Sequence, residues 1–329
     1  MKSVRLFIVV PCFNEQDVLP ATHGQLLAVL SSLINNGTVT TDSKLLYVDD
    51  GSDDGTWTLI DGFCRQGDNT CGIKLAANRG QQNSLLAGID AATEHADAII
   101  TIDADLQDDI GVIPEMLRLY AEGNDIVYGV RDDRRSDSWL KRTTAKAFYK
   151  AMGWLGVNTV YNHADFRLMS NRAVRQLLQY GERNLFLRGI VPQLGYRTAC
   201  VHYDRRCRQA GRSKYPAGKM LGFAADGITS FSIRPVRLVL MLGLVFLLIA
   251  LGMLTYALIA YFMGRAVSGW ASLMLSLWFI GGCVLFGLGI VGEYIGKIYI
   301  EVKGRPRYNV ERRLMGDNEN ENTNKNQTI

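Results

Sequence analysis

From Leu238 to Gly264 the chain carries 27 residues without a charge, and after Arg265 a second uncharged run of 27 extends from Ala266 to Gly292. Each exceeds the roughly 20 residues that a membrane-crossing helix needs. Such a chain is neither fully soluble, nor intrinsically disordered, nor a small disulfide scaffold. The averages conceal this, since 48% of the 329 residues are hydrophobic, 21% are charged and the net charge is only +4. Residues 1–125 hold 7 Lys and Arg against 19 Asp and Glu, residues 126–237 hold 21 against 7, and residues 238–329 hold 8 against 6. An acidic third is joined to a basic third, and the apolar region follows.

The segment before Pro11 is too short for the apolar core of a signal peptide. The first 235 residues are therefore expected to stay in the cytoplasm, where the six cysteines, which form no CxxC pair, point to a reduced setting without a zinc site. Arg234 and Arg237 precede the apolar runs; Lys297, Lys303, Arg305, Arg307, Arg312 and Arg313 follow them, and only Arg265 lies between. The positive-inside rule then predicts a two-helix hairpin in the cytoplasmic (inner) membrane, a multi-pass protein with its catalytic domain and both termini in the cytoplasm. Gly282, Gly289 and Gly296, with Gly292 near the same face, form a seam that admits close approach of another helix and so supports a homo-oligomer. After Leu314 the polar tail reads as disordered.

Upstream, short β-branched runs alternate with helical patterns. Strands are expected at Leu6–Cys12, Lys44–Val48, Ile73–Ala76, Ala98–Ile102 and Asp125–Tyr128, with helices at about 16–35, 56–66, 81–94 and 110–122. This alternation predicts a mostly parallel, doubly wound (Rossmann-like) α/β sheet whose ligand site lies beyond the carboxyl ends of the strands. Polar residues cluster at those ends: Asn14-Glu15, Asp49-Asp50-Gly51-Ser52, Asn78-Arg79-Gly80 and Asp103-Ala104-Asp105-Leu106-Gln107. Asp103 and Asp105, two apart on a turn, offer hard oxygens to Mg²⁺ or Mn²⁺ that would hold a diphosphate, and Gln107 adds a further oxygen. Asp49 or Asp50 can accept from a base N–H or a ribose hydroxyl, with Gly51 allowing the turn. No GxxxxGK and no GxGxxG follows a strand, which argues against a P-loop nucleotidase and a dinucleotide oxidoreductase. His163, beside Asp165, reads as a surface residue rather than a base.

Six motifs in order, VVPCFNE (9–15), VDDGSDDGT (48–56), IDADLQD (102–108), DFRLMS (165–170), RQAGRSKYP (208–216) and GEYIGKIYIEVKGRPRY (292–308), resemble the inverting polyprenyl-phosphate glycosyltransferases, which include bactoprenol glucosyltransferases and dolichol-phosphate mannose synthase. The resemblance implies a GT-A catalytic domain, a UDP-sugar donor, a divalent metal and a polyprenyl phosphate acceptor. It places Pro11 and Glu15 at the nucleoside, Asp49 and Asp50 at base and ribose, and Asp103, Asp105 and Gln107 at metal and diphosphate. Asp165 falls near sugar and acceptor, as an orienting group or a weak base. Arg79 stands on the nucleotide-sugar side where relatives often carry an aromatic residue. QxxRW, the signature of processive synthases, is absent. The implied reaction moves one sugar, glucose or alternatively GlcNAc, to undecaprenyl phosphate, supplying a lipid-linked sugar for O-antigen modification of surface lipopolysaccharide. A non-catalytic scaffold or flippase partner is the competing class, separated by metal-dependent binding of a UDP-sugar.

The basic third fits the lipid side. In Trp139–Leu155, Leu140, Thr144, Phe148, Met152 and Leu155 share a helical stripe opposite Arg142, Lys146 and Lys150, and 217–233 repeats the pattern just before the first apolar run. Basic amphipathic helices of this kind lie at a membrane surface, in contact with lipid. Arg131, Arg142, Arg206, Arg212 and Lys214 are the cations expected at the acceptor phosphate. The aromatic residues follow amphipathic spacing rather than a stacking platform, so nucleic acid is not an expected partner. Four parts result: a GT-A part that binds nucleotide-sugar and metal (1–135), an acceptor-side part with interface helices (136–235), a transmembrane hairpin (236–296) and a cytoplasmic tail (297–329).

Overall fold

A computed structural model of the chain describes residues 3–67, 69–131, 163–183, 187–204 and 269–315, with scattered positions between 236 and 263. The expected interface helices and the tail beyond Met315 lie outside the described residues. Two compact units are formed, one by Met1–Lys146, Thr159–Lys214 and Arg305–Ile329, the other by Ala147–Asn158 and Tyr215–Gly304.

The first unit is built on an eight-stranded sheet. Its opening half follows the predicted alternation closely: β1 (Leu6–Cys12), α1 (Leu19–Asn35), β2 (Lys44–Asp49), α2 (Thr56–Gln66), β3 (Thr70–Leu75), α3 (Gln81–Thr93), β4 (Ala98–Thr101), a 3₁₀ turn (Ile110–Val112), α4 (Ile113–Ala121) and β5 (Ile126–Arg131). All seven residues of β1, LFIVVPC, are buried. An unbroken apolar run of this kind suits a parallel strand covered on both faces, where alternation would leave polar groups inside. Next come β6 (His163–Ser170), α5 (Asn171–Leu178), the short α6 (Leu187–Ile190), a 3₁₀ turn (Val191–Leu194) and β7 (Thr198–Tyr203).

Across the sheet the order is β7-β5-β6-β4-β1-β2-β3-β8, the last strand being Val310–Leu314. The β3-β2-β1-β4 core is parallel, as expected, and reverses direction of travel at β1, the crevice position where ligands bind in open α/β sheets. Outside that core the sheet is mixed. β6 inserts antiparallel between β4 and β5, pairing Thr101 with Arg167 and Tyr128 with Arg167. This placement carries Asp165 to the carboxyl end of β4.

α3 lies tight against the centre of the sheet, because Gly88 has no side chain. A Cβ there would fall within the van der Waals envelope of Val9 Cγ1 and 2.7 Å from Val48 Cγ2, two β-branched side chains with little freedom to move. That contact sets the height of the helix and of the residues at its amino end.

In the second unit α7 (Trp270–Lys303) is one helix of 34 residues. At a rise of 1.5 Å it is about 51 Å long, against roughly 30 Å for a bilayer's hydrocarbon layer. Among the described residues it is the one helix long and apolar enough to cross a membrane, through Phe279–Lys303. It runs past Gly292, where the second apolar stretch ends, and carries Glu293, Lys297 and Glu301 in its last turns. The described positions from Val236 to Ile259 are also helical. Among the described residues, a Cβ on Gly287 would meet Val239 Cγ1 at 3.0 Å, whereas one on Gly282, Gly289, Gly292 or Gly296 would have no neighbour within 4 Å.

The segment after α7 departs most from the sequence reading of a tail. β8 pairs antiparallel with β3, matching Gly72 with Leu314 and Lys74 with Arg312. Lys74 Nζ reaches Glu311 at 3.0 Å, Lys44 Nζ donates to the Met315 carbonyl at 3.1 Å, and Tyr308 Oη donates to Asp90 at 2.7 Å. Charged side chains at Glu311, Arg312 and Arg313 then face outward on the new edge, discouraging further strand addition.

Replacing Gly88 with Ala overfills the α3–sheet contact; a cost of about 2 kcal/mol is expected, lowering the melting temperature by roughly 4–8 °C. Gly62→Ala, in open space on α2, is the control and should raise the melting temperature slightly. Equal melting curves for the two variants would contradict the packing argument.

Candidate active site

Loops at the carboxyl ends of β1 and β2 are joined by short polar side chains that satisfy backbone N–H groups, which is why Asn, Gln, Ser, Asp and Thr crowd both segments. Asn14 N donates to Ser52 Oγ at 2.9 Å, and Asp53 N to Asn14 Oδ1 at 2.9 Å. Glu15 N donates to Thr56 Oγ1 at 2.9 Å, and Gly55 N to Gln16 Oε1 at 2.8 Å. Asn14 has φ +53 and Leu106, after β4, φ +45. Left-handed backbone at non-glycine residues is held only where the surroundings impose it, and here both cases sit on the cleft. Gly51, at φ +67, passes so near the next loop that a Cβ would lie 2.7 Å from both Ala77 C and Asn78 N.

The paired acidic residues after β2 divide their work. Asp49 is fully buried, takes Ser52 N at 3.3 Å on Oδ1, and among the described residues leaves Oδ2 buried without a hydrogen-bond partner. Burial raises its pKa, against the Ser52 hydrogen bonds. A buried carboxylate oxygen with an open lone pair is a strong acceptor for an N–H or O–H brought by a ligand. Asp50 accepts the backbone N–H of Arg79 at 2.8 Å and of Gly80 at 2.9 Å, one on each oxygen. It fastens the loop that starts α3. Pro11 is buried in β1 opposite Val48, Glu15 is part-buried, and the Arg79 side chain is exposed.

Beyond β4, Asp103 Oδ1 accepts from Gln81 Nε2 at 2.6 Å. Burial first, then repulsion from Asp165, Asp108 and Asp105, pushes the Asp103 carboxyl up to about 7, with Arg188 opposing. Asp105 Oδ1 accepts from Gln107 N at 3.3 Å. Asp108 is engaged through one oxygen: its Oδ1 is held by Arg131 Nε at 2.8 Å and by the Tyr203 hydroxyl at 2.7 Å. Arg131, expected at the acceptor phosphate, is thereby anchored to Asp108. Arg142, Arg206, Arg212 and Lys214 lie outside the described residues. Among the described residues no three His, Cys, Asp or Glu side chains gather around a metal position. Asp103, Asp105 and Gln107 carry oxygens on one turn, and the repulsion felt by Asp103 is what a divalent cation relieves. The donor set therefore fits Mg²⁺ or Mn²⁺ completing its shell with ligand and water oxygens.

Asp165, on β6, is 2% exposed and carries a dense set of donors. Arg167 NH2 reaches Oδ1 at 2.7 Å, Arg188 donates Nε to Oδ1 at 3.1 Å and NH2 to Oδ2 at 3.0 Å, and Gln82 Nε2 lies 3.5 Å from Oδ2. Thr101 Oγ1 donates to its backbone carbonyl at 2.5 Å. Arg167 itself is 1% exposed. Removing one partner from a buried pair of this kind costs about 3–5 kcal/mol, because the other charge is left uncompensated.

The structure thus gathers Asp49, Asp50, Asp103, Asp105, Gln107 and Asp165 at one end of the sheet. Sequence reasoning missed Gln81, Gln82, Arg167 and Arg188. Arg167 had a signal, since Asp-x-Arg on a strand shares one face; Arg188 had none. A polar cavity of about 560 Å³, lined in part by Arg5, His95, Asp97, Asp125, Arg172 and Arg175, lies at the opposite ends of the strands, away from these groups.

The sequence profile of Glycosyl transferase family 2 matches residues 7–178. A protein of Bacillus subtilis (strain 168), "Uncharacterized glycosyltransferase YkoT", is 51% identical over 306 residues, which are 93% of this chain and 91% of that one. "Bactoprenol glucosyl transferase" of Shigella phage SfII is 36% identical over 316 residues, 95% of this chain and 100% of that one. Among solved structures, glucosyl-3-phosphoglycerate synthase from Mycobacterium tuberculosis, in complex with Mn²⁺, uridine diphosphate and glucosyl-3-phosphoglycerate, aligns with a TM-score of 0.44 at 17% identity over 69% of this chain and 78% of that one. The chain belongs to glycosyl transferase family 2, as a glycosyltransferase with a GT-A catalytic domain.

Proposed function

We propose that this enzyme transfers one sugar, glucose from UDP-glucose, to undecaprenyl phosphate at the cytoplasmic face of the inner membrane, with inversion at the anomeric carbon. The observation that carries the reading is the meeting, at one strand-end cleft, of a buried carboxylate with an open acceptor, a carboxylate pair fit for a cation, and a carboxylate held by two arginines. The similarity to a bactoprenol glucosyl transferase across nearly the whole of both chains supports it. So does α7, an apolar helix with Leu285 and Phe286 exposed by 71% and 66%, surface that suits lipid. In this reading both apolar runs span the membrane, both termini stay in the cytoplasm, and the lipid-linked sugar serves surface-polysaccharide modification.

Asp49 Oδ2 accepts an N–H of the base, while Pro11, Glu15 and Arg79 border the nucleoside. Asp103, Asp105 and Gln107 would hold Mg²⁺ or Mn²⁺, which when bound neutralises charge on the diphosphate leaving group. The acceptor, a phosphate monoester with a second pKa of about 6, is largely dianionic at neutral pH and needs no strong base to make it nucleophilic. Asp165 suits this. Paired with Arg167 and Arg188, it serves as an orienting anchor for Arg188 rather than as a proton acceptor. Arg131, Arg142, Arg206, Arg212 and Lys214 are proposed to draw the acceptor phosphate in. An acceptor oxygen attacks the anomeric carbon in line, the bond to the diphosphate breaks, and one displacement inverts the centre.

Full-length protein in detergent, given labelled UDP-glucose, Mg²⁺ and undecaprenyl phosphate, is expected to yield labelled lipid; no labelled lipid with any UDP-sugar would overturn the reading. Asp105→Ala should lower turnover at least about a hundredfold while membrane insertion is retained.

The raised Asp103 pKa has a sign that can be checked. Below about 7 the carboxyl holds a proton that a cation must displace, so Mn²⁺ affinity in the presence of UDP should rise with pH up to about 7 and level off above, being about tenfold weaker at pH 6 than on the plateau. Without metal the same group stabilises the fold at low pH and that contribution is lost as pH rises from about 4 to 7. Titration of Mn²⁺ by electron paramagnetic resonance between pH 5.5 and 8 measures this, and a flat profile would remove Asp103 from the cation site.

A further inference from the structure

We propose that Gln81 and Gln82, adjacent at the start of α3, are positioning residues that divide the acidic cluster into a half kept for the cation and a half kept for the acceptor. The inference rests on the glycosyl-transfer reading above and assigns roles to two side chains outside the carboxylate motifs.

Each glutamine touches a different carboxylate. Gln81 Nε2 donates to Asp103 Oδ1 at 2.6 Å. Gln82 Nε2 lies 3.5 Å from Asp165 Oδ2, and its Oε1 accepts the backbone N–H of Leu187 at 3.1 Å, next to Arg188. One amide thus ties Asp165 to the short helix that carries its arginine.

The residue type matters as much as the contact. An amide donor orients a carboxylate without cancelling its charge, whereas Lys or Arg at the same place would neutralise the field that attracts a cation. Asp103 receives only this neutral donor among the contacts seen, with one oxygen occupied and the other left to serve as a ligand. Asp165 receives two guanidinium groups as well as the amide. The two carboxylates are therefore prepared for opposite tasks by neighbouring residues of one helical turn.

The platform under the pair is rigid. Asp50 holds the N–H groups of Arg79 and Gly80, Gly80 turns the chain at φ +85, Asn83 N and Ser84 N close onto the Gly80 carbonyl at 3.1 Å each, and Gly88 seats the helix on Val9 and Val48. Asp50 thus reaches the chemistry through the glutamines.

Gln→Met substitutions keep the shape and remove the donors. In full-length protein with UDP present, Gln81→Met should weaken Mn²⁺ binding about 10- to 100-fold while kcat at saturating Mn²⁺ recovers. Gln82→Met should leave Mn²⁺ affinity unchanged and lower kcat at saturating metal by about 10-fold. Gln81→Lys restores a donor but adds a charge, and should bind Mn²⁺ no better than Gln81→Met; should the Met variant fail to fold, this variant decides the point. Mn²⁺ affinity that is unchanged in Gln81→Met or restored in Gln81→Lys overturns the inference, as does a pair of Met variants with the same losses. If wild-type protein transfers no sugar to a lipid phosphate, the functional reading and the Gln82 role fall together, and Mn²⁺ titration still decides Gln81. Wild-type protein that binds no Mn²⁺ overturns the Gln81 role; transfer by wild type with no split between the variants overturns this inference alone.

Discussion

Four carboxylates share the end of β4 and its neighbour β6, and their mutual repulsion is the constraint around which the cleft is organised. Like charges crowded in a low-dielectric site cannot all ionise unless each is compensated. Asp108 is compensated by Arg131 and Tyr203, and Asp165 by Arg167 and Arg188. Asp105 takes a backbone N–H from Gln107. Asp103, with a neutral amide as its close donor, is pushed up to about 7, by burial first and by the neighbouring carboxylates after it.

The same logic explains why the fold sends β6 between β4 and β5. An antiparallel strand bearing Asp and Arg two apart places both side chains on one face, and its fully buried middle lets them pair out of water. The inserted strand thus brings a fourth carboxylate, Asp165, to the end of β4 together with its own arginine, Arg167.

Much of this was legible in the residues. β1 was readable because LFIVVPC is apolar without a break, and the four strand-end motifs stood out because polar residues after such runs have few structural excuses. β6 was hidden by its own function: HADFRLMS contains two charges, and strand patterns discount buried ions. β8 was hidden by context, since VERRL after an apolar helix resembles a tail and pairs only with a strand more than 200 residues earlier. Asp49 and Asp50 read alike in the sequence, which carries no mark that Asp50 holds the backbone N–H groups of Arg79 and Gly80.

The position of β8 has a consequence for the order in which the molecule can be completed. β3 emerges from the ribosome early, yet its partner is synthesised only after α7, so the sheet keeps an open edge through the making of everything from Leu75 to Asn309. Lys44 and Cys71 wait equally long for the Met315 carbonyl. Closure of the catalytic sheet is therefore a late event in the life of the chain, reached once the apolar helix has been made, and a nascent protein stalled before that helix holds a sheet that is still unfinished.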